Sequence, residues 1–348
     1  MKKIAKILAA LLPVLAFTAL FTSCSDDDDT EEDSLEFVGT FEFDLPTFLY
    51  QDTDYVITPT EVSRSEDDDS GNTGYGIGVT LSSTSTTDTL RQDYGTTKVS
   101  YTVHTPKKDT LGAFVVTMYA FSSGYTTLYA EKDCYLVDPA LNTGSVTNFD
   151  IEDDDEYIVD GGRKYYLTRD KDCPVFMRQN YAGTDKGISY ADCEAVTDIF
   201  GKYYTWEEAR EVCPQGWHIP TKDEFHAFCV HYGMPATTEV DGTYPGMAGK
   251  LMADIYFNEE KMWEYWPDVR ITDETGFSAM PTGYGDILQD TDELEFYGMN
   301  SYFAFWVSDP DEDSSNGVYR YINLKYDNVY RGVANADNFC ASVRCVRD

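Results

Sequence analysis

From Glu36 to about Ile151 apolar and polar residues alternate with a period of two. The runs 37–45 (FVGTFEFDL), 75–82 (YGIGVTLS), 98–105 (KVSYTVHT), 113–121 (AFVVTMYAF), 126–137 (TTLYAEKDCYLV) and 145–151 (SVTNFDI) each put apolar side chains on one face of an extended segment. Clusters of Gly, Pro, Asp and Ser separate them, and the polar segment 63–74 (SRSEDDDSGNTG) is predicted to be a loop tip. Six or seven strands with no competing helical stretch predict an all-β, immunoglobulin-like sandwich over residues 36–152. The acidic run 151–156 (IEDDDE) is expected to mark its boundary.

Beyond that run the pattern changes. Residues 157–166 (YIVDGGRKYY) predict a hairpin turning at Asp160-Gly161-Gly162. Thr205 and Glu208 have the spacing of a capping box, and Trp206, Ala209 and Val212 follow with helical spacing. Cys213-Pro214 stops that helix, because a residue before proline is pushed out of the α region. Thr221 and Glu224 open a second capped helix with Phe225, Phe228, Cys229 and Tyr232 on one stripe, and Gly233 suits the position after its end. Between the two helices, Trp217 reads as a core plug, His218 as a ring packed and hydrogen-bonded in the turn, and Pro220 as the residue that sets the second helix's direction. A third short helix is predicted over Pro245–Ala253. Residues 254–300 lose periodicity and read as a long irregular loop, the kind that is usually functional or disordered. Strands return at 303–309 (FAFWVSD), 317–326 (GVYRYINLKY) and 341–347 (ASVRCVR).

The stretch 204–225 (YTWEEAREVCPQGWHIPTKDEF) resembles the Fibrobacter succinogenes major paralogous domain. In the same order, 175–181 (VFMRQNY), 248–253 (AGKLMA), 275–285 (TGFSAMPTGYG), 303–309 and 341–348 (ASVRCVRD) resemble further blocks of that family. Trp206, Cys213, Trp217, His218, Pro220, Trp306 and Cys345 are the motif positions. Phe176 and Tyr181 depart mildly from the family's tryptophan and leucine. The resemblance covers about 158–348 and implies an α+β, C-type-lectin-like domain over 157–348, with no established activity. In lectin-like folds the long loop carries ligand contacts, so Trp263, Tyr265, Trp266, Asp268 and Tyr297 are candidate ligand-binding residues. Rings would stack on apolar sugar faces while carboxylates accept from hydroxyls. The alternative is that Trp263 and Trp266 are core anchors holding the loop down. The resemblance also implies a bridge between Cys213 and Cys345.

Charge and the first residues supply an address. The 348 residues hold 62 acidic against 26 basic side chains, a net charge of −36, which excludes nucleic acid and anionic membrane surfaces as partners. The 27 tyrosines fit strands and a contact surface. Residues 1–23 have a lysine-bearing start and an apolar stretch too short and proline-broken to span a bilayer. With the small residue Ser23 before Cys24 and a polar run after it, they resemble a lipoprotein signal, with Cys24 as the lipidated residue. Residues 24–35 form an acidic tether that resembles the surface-export signal of Bacteroidota-type lipoproteins. The expected location is the outer membrane, lipid-anchored and facing the cell exterior. A periplasm-facing anchor, or a plain secretory signal, is the alternative.

Candidate chemistry is sparse. His218 and His104 have no partner at a catalytic or metal-ligand spacing. The D-x-D-x-D run 309–313 lacks the glycine and glutamate of a calcium loop, so no metal and no cofactor are expected. Seven cysteines follow Cys24; Cys134 is the natural free thiol, and Cys173–Cys193 and Cys229–Cys340 are pairings among many. Cys340 and Cys345 have the spacing of the formylglycine-generating enzymes, without the surrounding motifs. Acidic residues abound, so no carboxylate pair for glycoside hydrolysis stands out. The expectation is a non-catalytic binding or adhesion protein with a glycan or extracellular protein ligand. A structural part of an envelope complex, or an enzyme of the formylglycine-generating type, are the alternatives.

Overall fold

A computed structural model describes residues 42–58, 75–83, 86–95, 100–105, 112–121, 127–137, 146–147, 150–183, 186–257, 260–263, 269–291 and 293–348. The expected signal and tether, the segment 37–41 and the predicted loop tip 63–74 lie outside them. The chain divides into two compact units, the first ending at Leu136 and the second running from Val137 to Asp348. Both are dominated by strands.

The first unit holds β1 (Phe48–Tyr50), β2 (Asp54–Ile57), β3 (Tyr75–Ser83), β4 (Thr86–Gly95), β5 (Tyr101–His104), β6 (Gly112–Phe121) and β7 (Leu128–Val137). One sheet has the order β1-β7-β6-β3-β4, and β2 pairs with β5 in a second. The alternation read from the sequence is visible in β5, where Tyr101 and Val103 are buried and Thr102 and His104 exposed. Tyr101, Val103 and Ile57 from the small sheet share one core with Val116, Met118, Cys134 and Leu136 from the large one. Burial pushes the Cys134 thiol up to about 12, so it stays an inert, protonated core group. The pattern missed β4, whose sequence TTDTLRQDYG offers few apolar positions; its register is set by pairing with β3.

The acidic run is tied into the second unit. Asp155 is buried, and its carboxylate accepts from Arg169 Nε at 2.6 Å and Arg178 Nη1 at 3.3 Å. The Arg169 hydrogen bond in particular holds its pKa down to about 2. Those arginines belong to the second unit, and so does Asp155.

In that unit β8 (Val146–Thr147) comes first, and β9 (Tyr157–Asp160) and β10 (Arg163–Tyr166) form the predicted hairpin, with Gly161 and Gly162 at φ 55° and 81° in its turn. A short helix α1 (Thr197–Phe200) and strand β11 (Tyr203–Tyr204) follow. Helix α2 (Trp206–Val212) begins at the Thr205 capping box, and α3 (Lys222–His231) at the Thr221 one, both with reciprocal bonds in place. Between them lies β12 (Trp217–His218). Next come β13 (Tyr244–Pro245), α4 (Ala248–Leu251), β14 (Tyr256–Phe257) and β15 (Glu260–Lys261). Then follow β16 (Thr282–Ile287), β17 (Leu294–Met299), β18 (Tyr302–Pro310), β19 (Asn316–Asn323), β20 (Asn328–Asn335), β21 (Phe339–Ser342) and β22 (Val346–Arg347).

The main sheet runs β11-β21-β16-β18-β19-β20-β13, with β17 paired to β16. Alternation along β18 builds two cores. Phe303, Phe305 and Val307 face α3 and meet Phe225 and Phe228, while Ala304 and Trp306 face the other side. Trp206 is the buried plug of α2, its indole donating to the Val307 carbonyl at 2.9 Å. Trp217, expected in that role, is only half-buried and lies under the Arg347 guanidinium, 5.3 Å from its ring. Cys213 is bonded to Cys345 across 132 residues. Cys134, Cys173, Cys229 and Cys340 are free, so the pairings 173–193 and 229–340 are not made.

Candidate functional site: a tyrosine face on the main sheet

The expected long loop 254–300 is in large part folded. Its second half is the β16–β17 hairpin, with Tyr284 opposite Tyr297. Glycine breaks the alternation there: Gly283 has φ +71°, and a Cβ on it would lie 2.0 Å from the Tyr297 carbonyl oxygen. The hairpin joins one edge of a continuous aromatic surface.

That surface is built by strand periodicity. In β19, Val318, Arg320 and Ile322 point into the core, so Tyr319 and Tyr321 must share the opposite face. The register sets Tyr321 opposite Tyr330 of β20, and their rings stack at 5.3 Å and 22°. Tyr302 stacks on Tyr321 at 5.0 Å and 19°. Tyr319 lies opposite Gly332, where a Cβ would come within 2.1 Å of the ring, so the glycine is what lets the ring lie across β20. Tyr319 also stacks on Phe339 at 4.6 Å, Phe339 on Tyr284 at 5.1 Å, and Tyr284 reaches Tyr297 at 5.7 Å. Tyr326 closes the other end against Tyr330 at 6.0 Å. The row is exposed most at its two ends, Tyr326 at 54% and Tyr297 at 39%, while Tyr284, Tyr302, Tyr319, Tyr321 and Tyr330 are half-buried.

Polar groups accompany the rings. Burial raises the pKa of Tyr302, Tyr319 and Tyr321, so their hydroxyls stay protonated and able to donate. Asn328 donates to the Tyr330 hydroxyl at 3.3 Å, and Tyr297 donates to Glu295. Beside Phe339 a shallow depression of about 330 Å³ is lined by Asp286, Gln289, Asn335 and Asn338 together with Ile287 and Ala334. A row of π-faces next to amide and carboxylate side chains can hold a ligand with alternating apolar patches and hydroxyls, or an extended chain laid across the strands.

Of the candidate ligand-binding residues, Tyr297 lies in this row. Trp263 does not: it is fully buried in the α3-side core and its indole donates to the Ala279 carbonyl at 3.1 Å, so it is a core anchor and cannot stack on a ligand. Tyr265, Trp266 and Asp268 lie outside the described residues. Tyr319 and Tyr321 are alternate positions of one strand, but the partners that make them a surface come from β16, β17, β18, β20 and β21.

The motif residues take structural places. His218 Nδ1 meets Asp348 at 2.7 Å and Nε2 meets Glu224 at 3.0 Å. The carbonyl of Pro220 accepts from Ser308 at 2.9 Å, and the buried Trp306 donates to the Tyr204 carbonyl at 2.7 Å. Cys345 is committed to Cys213, so Cys340 and Cys345 are not a free thiol pair. The acidic turn 309–313 disperses its carboxylates: Asp309 accepts from the Lys222 amide, Asp311 pairs with Arg331, and Asp313 accepts from Ser315.

Residues 162–347 match the family model described as the Fibrobacter succinogenes major domain. No curated protein matches the chain. Among solved structures, the superoxide reductase (neelaredoxin) from Ignicoccus hospitalis has 10% identity and a TM-score of 0.24, covering 28% of this chain and 81% of that one. A variant of the same protein has 11% identity and the same TM-score, covering 28% and 80%. Likeness at that level bears no argument about fold or chemistry.

Proposed function

Since the chain belongs to the Fibrobacter succinogenes major domain family through residues 162–347, we propose that it is a non-catalytic binding or adhesion protein whose tyrosine face takes an extracellular glycan. The observation that carries this is the uninterrupted row of ring contacts from Tyr297 to Tyr326, stacked at its centre and tilted or edge-on at its ends, beside amide and carboxylate side chains. Aromatic faces stack on the apolar faces of sugar rings, and the flanking polar groups select hydroxyl positions. The ring-rich face also suits a protein ligand, since tyrosine is enriched at the cores of such interfaces.

The rest of the reading places that face outside the cell. Cys24 carries lipid, the acidic segment after it is the tether, and the anchor is in the outer membrane facing outward. Among the described residues no helix is long and apolar enough to cross a membrane. The first unit, with its two sheets around one core, is an immunoglobulin-like spacer, and the second is a C-type-lectin-like domain.

The test uses the chain with Cys24→Ala on glycan and extracellular-protein arrays. Saturable glycan binding that Tyr321→Ala and Tyr330→Ala abolish, with circular dichroism unchanged, supports the reading. Binding only to proteins through the same tyrosines transfers the site to a protein ligand. A blank on both arrays, or binding that survives both substitutions, overturns it and favours a structural part of an envelope complex. Cys24→Ala should also move the protein out of membrane fractions; retention there defeats the anchor.

A further inference from the structure

At the end of α3 farthest from its capping box, three unlike donors meet. Asp170, Cys173 and His231 each present one atom, and these atoms all lie within 4.8 Å of one another. His231 Nε2 is already 2.6 Å from Asp170 Oδ2. The loop that carries Asp170 and Cys173 is fixed at both ends: the Thr168 amide donates to the Phe176 carbonyl at 2.9 Å, and the Phe176 amide to the Thr168 hydroxyl at 3.0 Å. The other carboxylate oxygen of Asp170 accepts from the Asp172 amide at 2.9 Å, which orients Oδ2 toward the histidine. Cys173 is a free thiol packed at the margin of the same core that Val230 and Tyr232 pack against.

The local charges favour a cation. Lys171 turns away to Glu156 at 3.0 Å and to the Thr168 carbonyl, and Lys250 is held by Glu274 and the Tyr232 carbonyl. Asp172 adds negative charge beside the trio, and His231 is the last residue of a ten-residue helix, where the aligned peptide dipoles present their negative end.

We infer that Asp170, Cys173 and His231 form a binding site for a zinc-class divalent cation, with one coordination position left open. One sulfur, one imidazole nitrogen and one carboxylate oxygen suit zinc; magnesium and calcium want oxygen ligands alone. Tetrahedral ligands lie roughly 3–4 Å apart around zinc, given bond lengths of about 2.0–2.3 Å, so the trio needs only small side-chain rotations to close. The metal displaces protons: Cys–SH + M²⁺ gives Cys–S–M⁺ + H⁺, and the proton that Nε2 donates to Asp170 moves to Nδ1 of a neutral ring, or to solvent from an imidazolium, as Nε2 takes the metal. The fourth position goes to water. The site would fasten the Asp170–Cys173 loop to the end of α3.

The experiment titrates cobalt(II), then zinc, into the metal-stripped chain with Cys24→Ala. The expected result is one equivalent of cobalt with a thiolate-to-cobalt charge-transfer band, bleached by zinc, and a Tm that zinc raises. Cys173→Ser should abolish the band, and Asp170→Asn and His231→Gln should each weaken binding by at least about tenfold while circular dichroism stays unchanged. No band, a band that survives Cys173→Ser, or affinity that both other substitutions leave intact overturns the site.

Discussion

At the scale of single residues the second unit is held by polar groups buried where apolar ones would be expected. Arg344 is fully buried; it donates to the carbonyls of Phe277, Ser278, Arg178 and Met177 and to Asn180 Oδ1 at 2.7 Å. It serves as the hydrogen-bond partner for backbone that no strand satisfies. Arg344→Leu strands those acceptors and should cost about 3–5 kcal/mol in urea denaturation; a loss under about 1 kcal/mol would mean the carbonyls find other donors. His218 offers a second test. Partial burial lowers its pKa, but the hydrogen bonds to Asp348 and Glu224 outweigh that and leave it raised. A raised folded-state pKa stabilises fully below the unfolded value of about 6.5 and is lost as pH climbs through the folded value. Wild type should therefore exceed His218→Gln in stability by more at about pH 6 than at about pH 8.5. An equal gap at both would remove the charge from the account.

Element by element, what was local in the sequence was legible. Both capping boxes, the Asp-Gly-Gly hairpin and the strands around Trp306 and Tyr319 are each specified by a few adjacent residues. What failed was non-local or interrupted. The β16–β17 hairpin was hidden because Gly283 and Gly285 break its alternation, and Trp263 looked available for ligand because nothing nearby shows that Ala279 and the α3-side core enclose it. The tyrosine face was visible only as an excess of tyrosine. Its geometry depends on Gly332 as much as on any ring. Gly332→Val should push Tyr319 off β20, cost about 1–3 kcal/mol as overpacking, and weaken the proposed glycan binding more than it weakens the fold. Unchanged binding would show that Tyr319 is not part of the contact.

Over the whole molecule the second unit is closed by its last segment. Residues 343–347 bond on one side to 175–181, through Met177 to Cys345 and Tyr181 to Val343, and on the other to β12. That explains why two sequence blocks so far apart both belong to the resemblance: they are neighbouring backbone. Cys213–Cys345 fastens the same closure. In the chain-entropy picture, removing it by Cys213→Ala with Cys345→Ala should cost about 4–5 kcal/mol for a loop of 132 residues. A change below about 1 kcal/mol would indicate that the pairing of β22 alone suffices.

This closure also orders events in time. The turn at Trp217 and His218 finds its strand partner only when residues 346–347 arrive, long after α2 and α3 could have formed. During synthesis the unit therefore has no route to its final arrangement until nearly all of it has been made, and its formation is governed by a long loop closure. A nascent or prematurely released chain would carry Cys213 as an unmatched thiol and the 175–181 backbone uncovered, both ready marks for proteolytic clearance.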